Sequence, residues 1–154
     1  MSKRVLIIEE CAIARSVLGI LLQRSGWEVI GAADGAEALR VASSWHFDLV
    51  ITAPEPSKVP GIQLLRLLRG GLLAPQVRVL LHVDHREAAG EVALMALVDD
   101  VLVKDGQIER QLNGKLSQWF APSHATTSVT RKRIAHRKTQ CAKSLRPVSR
   151  VRPD

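Results

Sequence analysis

Charged side chains stand where short apolar runs of the chain break off: Glu9 and Glu10 after Val5–Ile8, Asp84 after the run ending at Val83, and Lys104 after Val101–Val103. Two carboxylates brought together could supply oxygen ligands to a divalent cation, with the ammonium group as a further charge in the same cluster. The same trio also reads as a structural cluster, because adjacent glutamates repel and a nearby lysine lowers that cost. Mg²⁺ normally takes more than two protein carboxylates or a substrate phosphate, so a site built on Glu9 and Glu10 alone would be weak and the metal optional. His82 and His85 lie on either side of Asp84. Strand alternation points His82 and Asp84 the same way while His85 begins a loop, which predicts surface or pocket-rim histidines rather than an acid–base cluster. Cys11, beside the acidic pair, is read as an inert free thiol, as is Cys141, because neither belongs to a CxxC pair or a zinc-spaced cluster. No Ser/His/Asp, Walker or GxGxxG pattern is present, which leaves an enzyme as the weakest reading.

The elements that must position these groups follow from periodicity. Short β-branched runs alternate with longer segments of helical period, the pattern of repeated βαβ units and a parallel sheet. Strands are expected over Arg4–Ile8, Glu28–Ala32, Asp48–Thr52, Arg78–His82 and Val101–Val103. The first helix, from about Ala12 to Ser25, carries Ile13, Val17, Ile20, Leu21 and Arg24 at helical spacing, and Gly26 stops it. Asp34 caps the second helix. The third starts near Gly61, after a loop holding Pro54, Pro56 and Pro60, and ends at Gly70 and Gly71. Its leucines (64, 65, 67 and 68, then 72 and 73) exceed what a one-sided surface helix needs, so some are expected to contact a partner. A fourth helix is expected over about Arg86 to Leu97, and a fifth over Gln107 to Phe120 with Ile108, Leu112, Leu116 and Trp119 on its docking face.

These residues bear a resemblance over about residues 3–120. Val5 to Glu10 is similar to the first strand and acidic pair of the receiver domains of two-component response regulators, and Gly26 to Val29 resembles their aromatic-containing turn into strand two. Asp34 to Leu39 resembles their "NGxEAL" helix start, and Asp48 to Thr52 their "DLVLL" strand. Gly61 stands eight residues past position 53 as their loop glycine does, and Lys104 falls where they have a lysine. The resemblance implies a flavodoxin-like doubly wound five-stranded parallel sheet, order 2-1-3-4-5, with helices on both faces. It also implies a pocket of Glu9, Glu10, Ala53, Val83, Asp84 and Lys104 beyond the strand ends.

Receiver chemistry uses an aspartate nucleophile, Mg²⁺ held by it and the acidic pair, a lysine, and a Ser/Thr that senses the product. A carboxylate attacks phosphorus in line while metal and lysine neutralise repulsion. The acceptor position here reads Ala53, whose methyl group neither attacks nor ligates, and the Ser/Thr position reads Val83. Asp105 replaces the proline after the lysine. Asp48 lies a strand length from the pocket, Glu55 is in the right loop, and Asp84 is the better candidate for an extra pocket acid, though from another strand. The expected pocket is therefore degenerate, without catalytic residues or a required cofactor. Mg²⁺ at Glu9 and Glu10 is an optional occupant.

Composition agrees with a single aliphatic core: 46% of the 154 residues are hydrophobic and 3% aromatic. The net charge of +7 is unevenly spread. Residues 1–120 carry 13 Lys/Arg against 14 Asp/Glu, a balance of −1, whereas residues 121–154 carry 9 against one, a balance of +8. A receiver-like domain over 1–120 with a basic, disordered tail over 121–154 is expected. Arg131, Lys132, Arg133, Arg137, Lys138 and Lys143 would neutralise phosphates without reading sequence, so nucleic-acid backbone is one partner class. Anionic membrane, an acidic protein surface and a purely solubilising role stay open. Too short an apolar start for a signal peptide and no membrane span lead to the expectation of a cytoplasmic protein. The expected partner is a protein, a histidine kinase or another regulator, bound through the face of helix four, strand five and helix five without phosphorylation.

Overall fold

A computed structural model describes residues 2–85 and 92–121. In chain order the elements are β1 (Arg4–Ile8), α1 (Ala12–Arg24), β2 (Glu28–Ala32), α2 (Gly35–Ser44), β3 (Leu49–Thr52), α3 (Gly61–Leu67), β4 (Arg78–Val83), α4 (Val92–Met95), β5 (Asp100–Val103) and α5 (Ile108–Phe120). All five strands run parallel in one sheet, as the alternating pattern predicts, in the order β2-β1-β3-β4-β5 that the resemblance implies. The chain divides into two units, Met1–Asn113 and Gly114–Asp154, and the sheet belongs to the first. In the second, residues 114–120 form the last turns of α5. The expected basic tail, with Cys141, and residues 86–91 of the expected fourth helix lie outside the described residues. Among the described residues no helix is long and apolar enough to cross a membrane.

The central strands are apolar because both their faces are covered. One face carries Leu6, Ile8, Val50, Val79, Leu81, Val83 and Val101 in a cluster with Ala38, Val41 and Ala42 of α2 and Leu64 and Leu65 of α3. Alternation turns Val5, Ile7, Leu49, Ile51, Leu80 and Leu102 to the other face, where they are equally buried. Each such Leu or Ile contributes about 1.5–3 kcal/mol by leaving water, so the strands are held by burial more than by propensity.

Local signals set several boundaries. Gly26, at φ 90°, turns the chain out of α1 into β2, a conformation most side chains resist. Asp34 accepts from Glu37 N–H at 2.8 Å while Glu37 reaches back to Ala33 N–H at 2.8 Å, so each end of the first turn of α2 is satisfied by the other. After α3 the winding widens into a π-helical turn, Leu68–Leu72, and the backbone leaves helical dihedrals at Gly71, within the glycine pair expected to end this helix.

The structure sorts the apolar residues of α1 and of the third helix into buried and exposed. The apolar set Ile13, Val17 and Ile20 is the outer stripe of α1, 76%, 44% and 54% exposed, whereas Leu18 and Leu22 face inward at 1% and 0%. Both stripes of this helix are apolar, so period alone does not choose its rotation. The leucines of the third helix and its extension are mainly core: Leu64, Leu65, Leu68 and Leu73 are buried and Leu67 is the exposed one. The wide turn brings Leu68 and Leu73 into the same cluster as the strands, which accounts for most of the excess of apolar residues.

Candidate functional site at the strand ends

The C-terminal ends of β1, β3, β4 and β5 deliver side chains to the same edge of the sheet. Ile8 pairs with Thr52 and Thr52 with Leu81, so the next register row is Glu9, Ala53 and His82. The Ala53 N–H continues the ladder, donating to the Ile8 carbonyl at 3.0 Å. On the other side of β4, Val83 pairs with Val103, which sets Lys104 beside Asp84. Residues level with one another in a parallel sheet rise on the same face, so Glu9 and His82 flank Ala53 with nothing larger than its methyl group between them.

Glu9 is the centre of the cluster and is only 5% exposed. His82 Nδ1 lies 3.4 Å and Lys104 Nζ 3.5 Å from Glu9 Oε1, while Oε2 accepts from the Cys11 N–H at 3.1 Å. Burial by itself would push this carboxyl upward. The His82 hydrogen bond, the Cys11 N–H and the Lys104 charge more than reverse that and hold it at about 2. Since an ionised carboxylate only accepts, a hydrogen bond between the two requires the proton on His82 Nδ1. Nε2 of the same ring is buried and has no hydrogen-bond partner among the described residues. Lys104 Nζ is also 3.5 Å from Asp84 Oδ1, a largely exposed carboxylate that completes a chain from His82 to the surface. Arg15 steadies the base of the site by donating to the Glu9 carbonyl at 2.6 Å.

Of the residues singled out in the sequence, Glu9, Asp84 and Lys104 come together, with Ala53 beneath them. Glu10, in the bend between β1 and α1, is exposed. Val83 turns to the opposite face and joins the core cluster. Asp48 sits at the far end of β3, accepting from the Arg4 N–H at 2.9 Å, and Glu55 is exposed in the loop. Cys11 is an exposed free thiol. The six tail cations singled out above (Arg131, Lys132, Arg133, Arg137, Lys138 and Lys143) lie outside the described residues.

His82 corrects the sequence reading. It is not a surface or rim residue but 2% exposed and paired to Glu9 across the sheet, while His85 is exposed as expected. A polar residue inside the otherwise apolar run Val79–Val83 was the available signal; the register that sets it level with Ala53 comes only with the folded sheet.

As arranged, the cluster does not fit Mg²⁺. Both Glu9 oxygens already accept from protein donors, Glu10 is exposed and Ala53 supplies no oxygen from its side chain. Among the described residues no group of three His, Cys, Asp or Glu side chains could hold a metal ion.

Residues 5–113 match the response regulator receiver domain family. The chain belongs to that family. This receiver is 36% identical over 67 residues to the CAI-1 autoinducer sensor kinase/phosphatase CqsS of Vibrio cholerae, covering 44% of this chain and 10% of that protein. It is 35% identical over 69 residues to the alkaline phosphatase synthesis transcriptional regulatory protein PhoP of Bacillus subtilis, covering 45% and 29%. The receiver thus spans under a third of the length of either relative. Its fold is similar to the receiver domain of a sensor histidine kinase from Pseudomonas aeruginosa, a structure with magnesium coordinated in the active site cleft. The TM-score is 0.70 at 21% identity, covering 79% of this chain and 100% of that one.

Proposed function

We propose that this receiver is a two-component signalling module that acts by binding a protein partner without being phosphorylated. The observation that carries the reading is the register row Glu9, Ala53, His82, in which the place of a nucleophile holds a methyl group. A methyl group cannot attack phosphorus, and the charge of Glu9 is answered from within the protein by Lys104 and His82. The module has no enzymatic activity of its own, requires no cofactor, and works in the cytoplasm, with the receiver over residues 1–120 and a basic tail over 121–154. Its partner is a histidine kinase or another regulator, met through the face of helix four, strand five and helix five. Incubation with acetyl phosphate and Mg²⁺, followed by intact-mass measurement, is expected to leave the mass unchanged. A base-labile gain of one phosphoryl group on a carboxylate overturns the reading.

The charge balance of +8 over residues 121–154 favours a second reading, in which the tail holds nucleic-acid backbone. Truncation after Phe120 is then expected to abolish a salt-sensitive gel shift; a shift that survives truncation excludes the tail as the contact.

A further inference from the structure

We infer that His82 closes the receiver pocket to divalent cations, so that restoring aspartate at position 53 does not by itself restore a Mg²⁺ site. This rests on reading the strand-end cluster as a silenced acceptor pocket, and it concerns what keeps the pocket silent.

β1 and β4 both flank β3, so their axes are two strand spacings apart, roughly 9.6 Å. Side chains from Glu9 and His82 nevertheless meet at 3.4 Å, and they do so level with Ala53. The space above position 53, where a carboxylate and its metal would stand, is therefore crossed by an imidazole–carboxylate pair. Both members are buried, at 2% and 5% exposure, so the pair is not a loose surface contact that water readily opens. Lys104 on Oε1 and the Cys11 N–H on Oε2 occupy the same carboxylate from other directions. A cation entering here must displace an imidazole and break Glu9 away from it. An aspartate introduced at position 53 would instead stand level with the His82 ring, whose one proton is already given to Glu9, and would compete with Glu9 for Lys104.

The unpartnered Nε2 of His82 strengthens the case. With nothing holding that nitrogen, the bond from Nδ1 to Glu9 is what orients the ring. Removing the ring frees both the volume and the Oε1 lone pair.

Four forms of the full chain separate the outcomes: the unaltered protein, Ala53→Asp, His82→Val, and the double variant. Mg²⁺ titration by calorimetry, with Mn²⁺ relaxation as a second readout, is expected to show saturable binding in the double variant that is at least about tenfold tighter than in Ala53→Asp, the coupling typical of contacting residues. Equal binding by Ala53→Asp and the double variant overturns the inference, as does absence of binding in both. Should His82→Val fail to fold, nitrogen NMR of the unaltered chain decides: a hydrogen-bonded Nδ1–H of His82 that is lost in Glu9→Gln supports the pair, and its absence overturns it. Phosphorylation of the unaltered chain would defeat the proposed function while leaving this comparison intact, and cation binding by Ala53→Asp alone would do the reverse.

Discussion

Gly61 packs against the Pro54 carbonyl so closely that a Cβ at position 61 would collide with that oxygen. The contact folds the loop after β3 back on itself and fixes the course of the chain out of the pocket. It supplies the physical reason for a glycine eight residues past position 53. Gly61→Ala is expected to displace the Pro54 loop and lower stability by about 1–3 kcal/mol. Gly70, exposed and with no atom within 4 Å of its added Cβ, is the control. Gly70→Ala is expected to change stability by less than about 1 kcal/mol. Urea denaturation of both variants checks the contrast, and equal effects would remove the steric explanation.

The depressed pKa of Glu9 makes stability depend on pH in a definite direction. Its carboxyl titrates at about 2 in the fold against an ordinary value of 4.5, so the folded protein favours the ionised form. The contribution is fully present above pH 4.5 and is lost as pH falls towards 2. At 7% side-chain exposure little is screened away, and the difference corresponds to roughly 3 kcal/mol. Unfolding free energy followed from neutral pH down to about pH 2 is expected to fall more steeply for the unaltered chain than for Glu9→Gln. Parallel curves would refute the assignment.

Asp99 forms a second polar junction, at the opposite end of β4. Its Oδ2 accepts from Val79 N–H at 2.7 Å and Arg69 Nη2 at 2.9 Å. Arg69 also donates to the Val77 carbonyl at 2.6 Å and the Leu97 carbonyl at 3.3 Å, tying the turn after α3 to both flanks of the sheet end. Asp99→Ala leaves the Val79 N–H and one arm of the guanidinium without their acceptor and is expected to cost about 1–3 kcal/mol. Arg69→Lys is expected to lose most of the same energy, because an ammonium cannot reach three acceptors as a planar guanidinium does. A double-mutant cycle between positions 69 and 99 tests the coupling, and additive losses would show the contacts to be independent.

Much of this architecture was legible in the residue pattern alone. Alternation of short β-branched runs with helical segments determined a parallel sheet, because those periods are local properties of neighbouring residues. That position 53 is alanine, where the resemblance implies an acceptor carboxylate, is likewise legible without the fold. Tertiary structure decided the rest. Which apolar stripe of α1 faces the sheet depends on what packs against it, and both stripes were candidates. That Glu9 is buried while Glu10 is exposed depends on how the bend after β1 is held in the folded sheet. The pairing of Glu9 with His82 joins residues 73 positions apart, and it exists because winding puts β3 between β1 and β4 and levels their ends. Register between distant strands is a product of the folded sheet, so no local pattern could contain it.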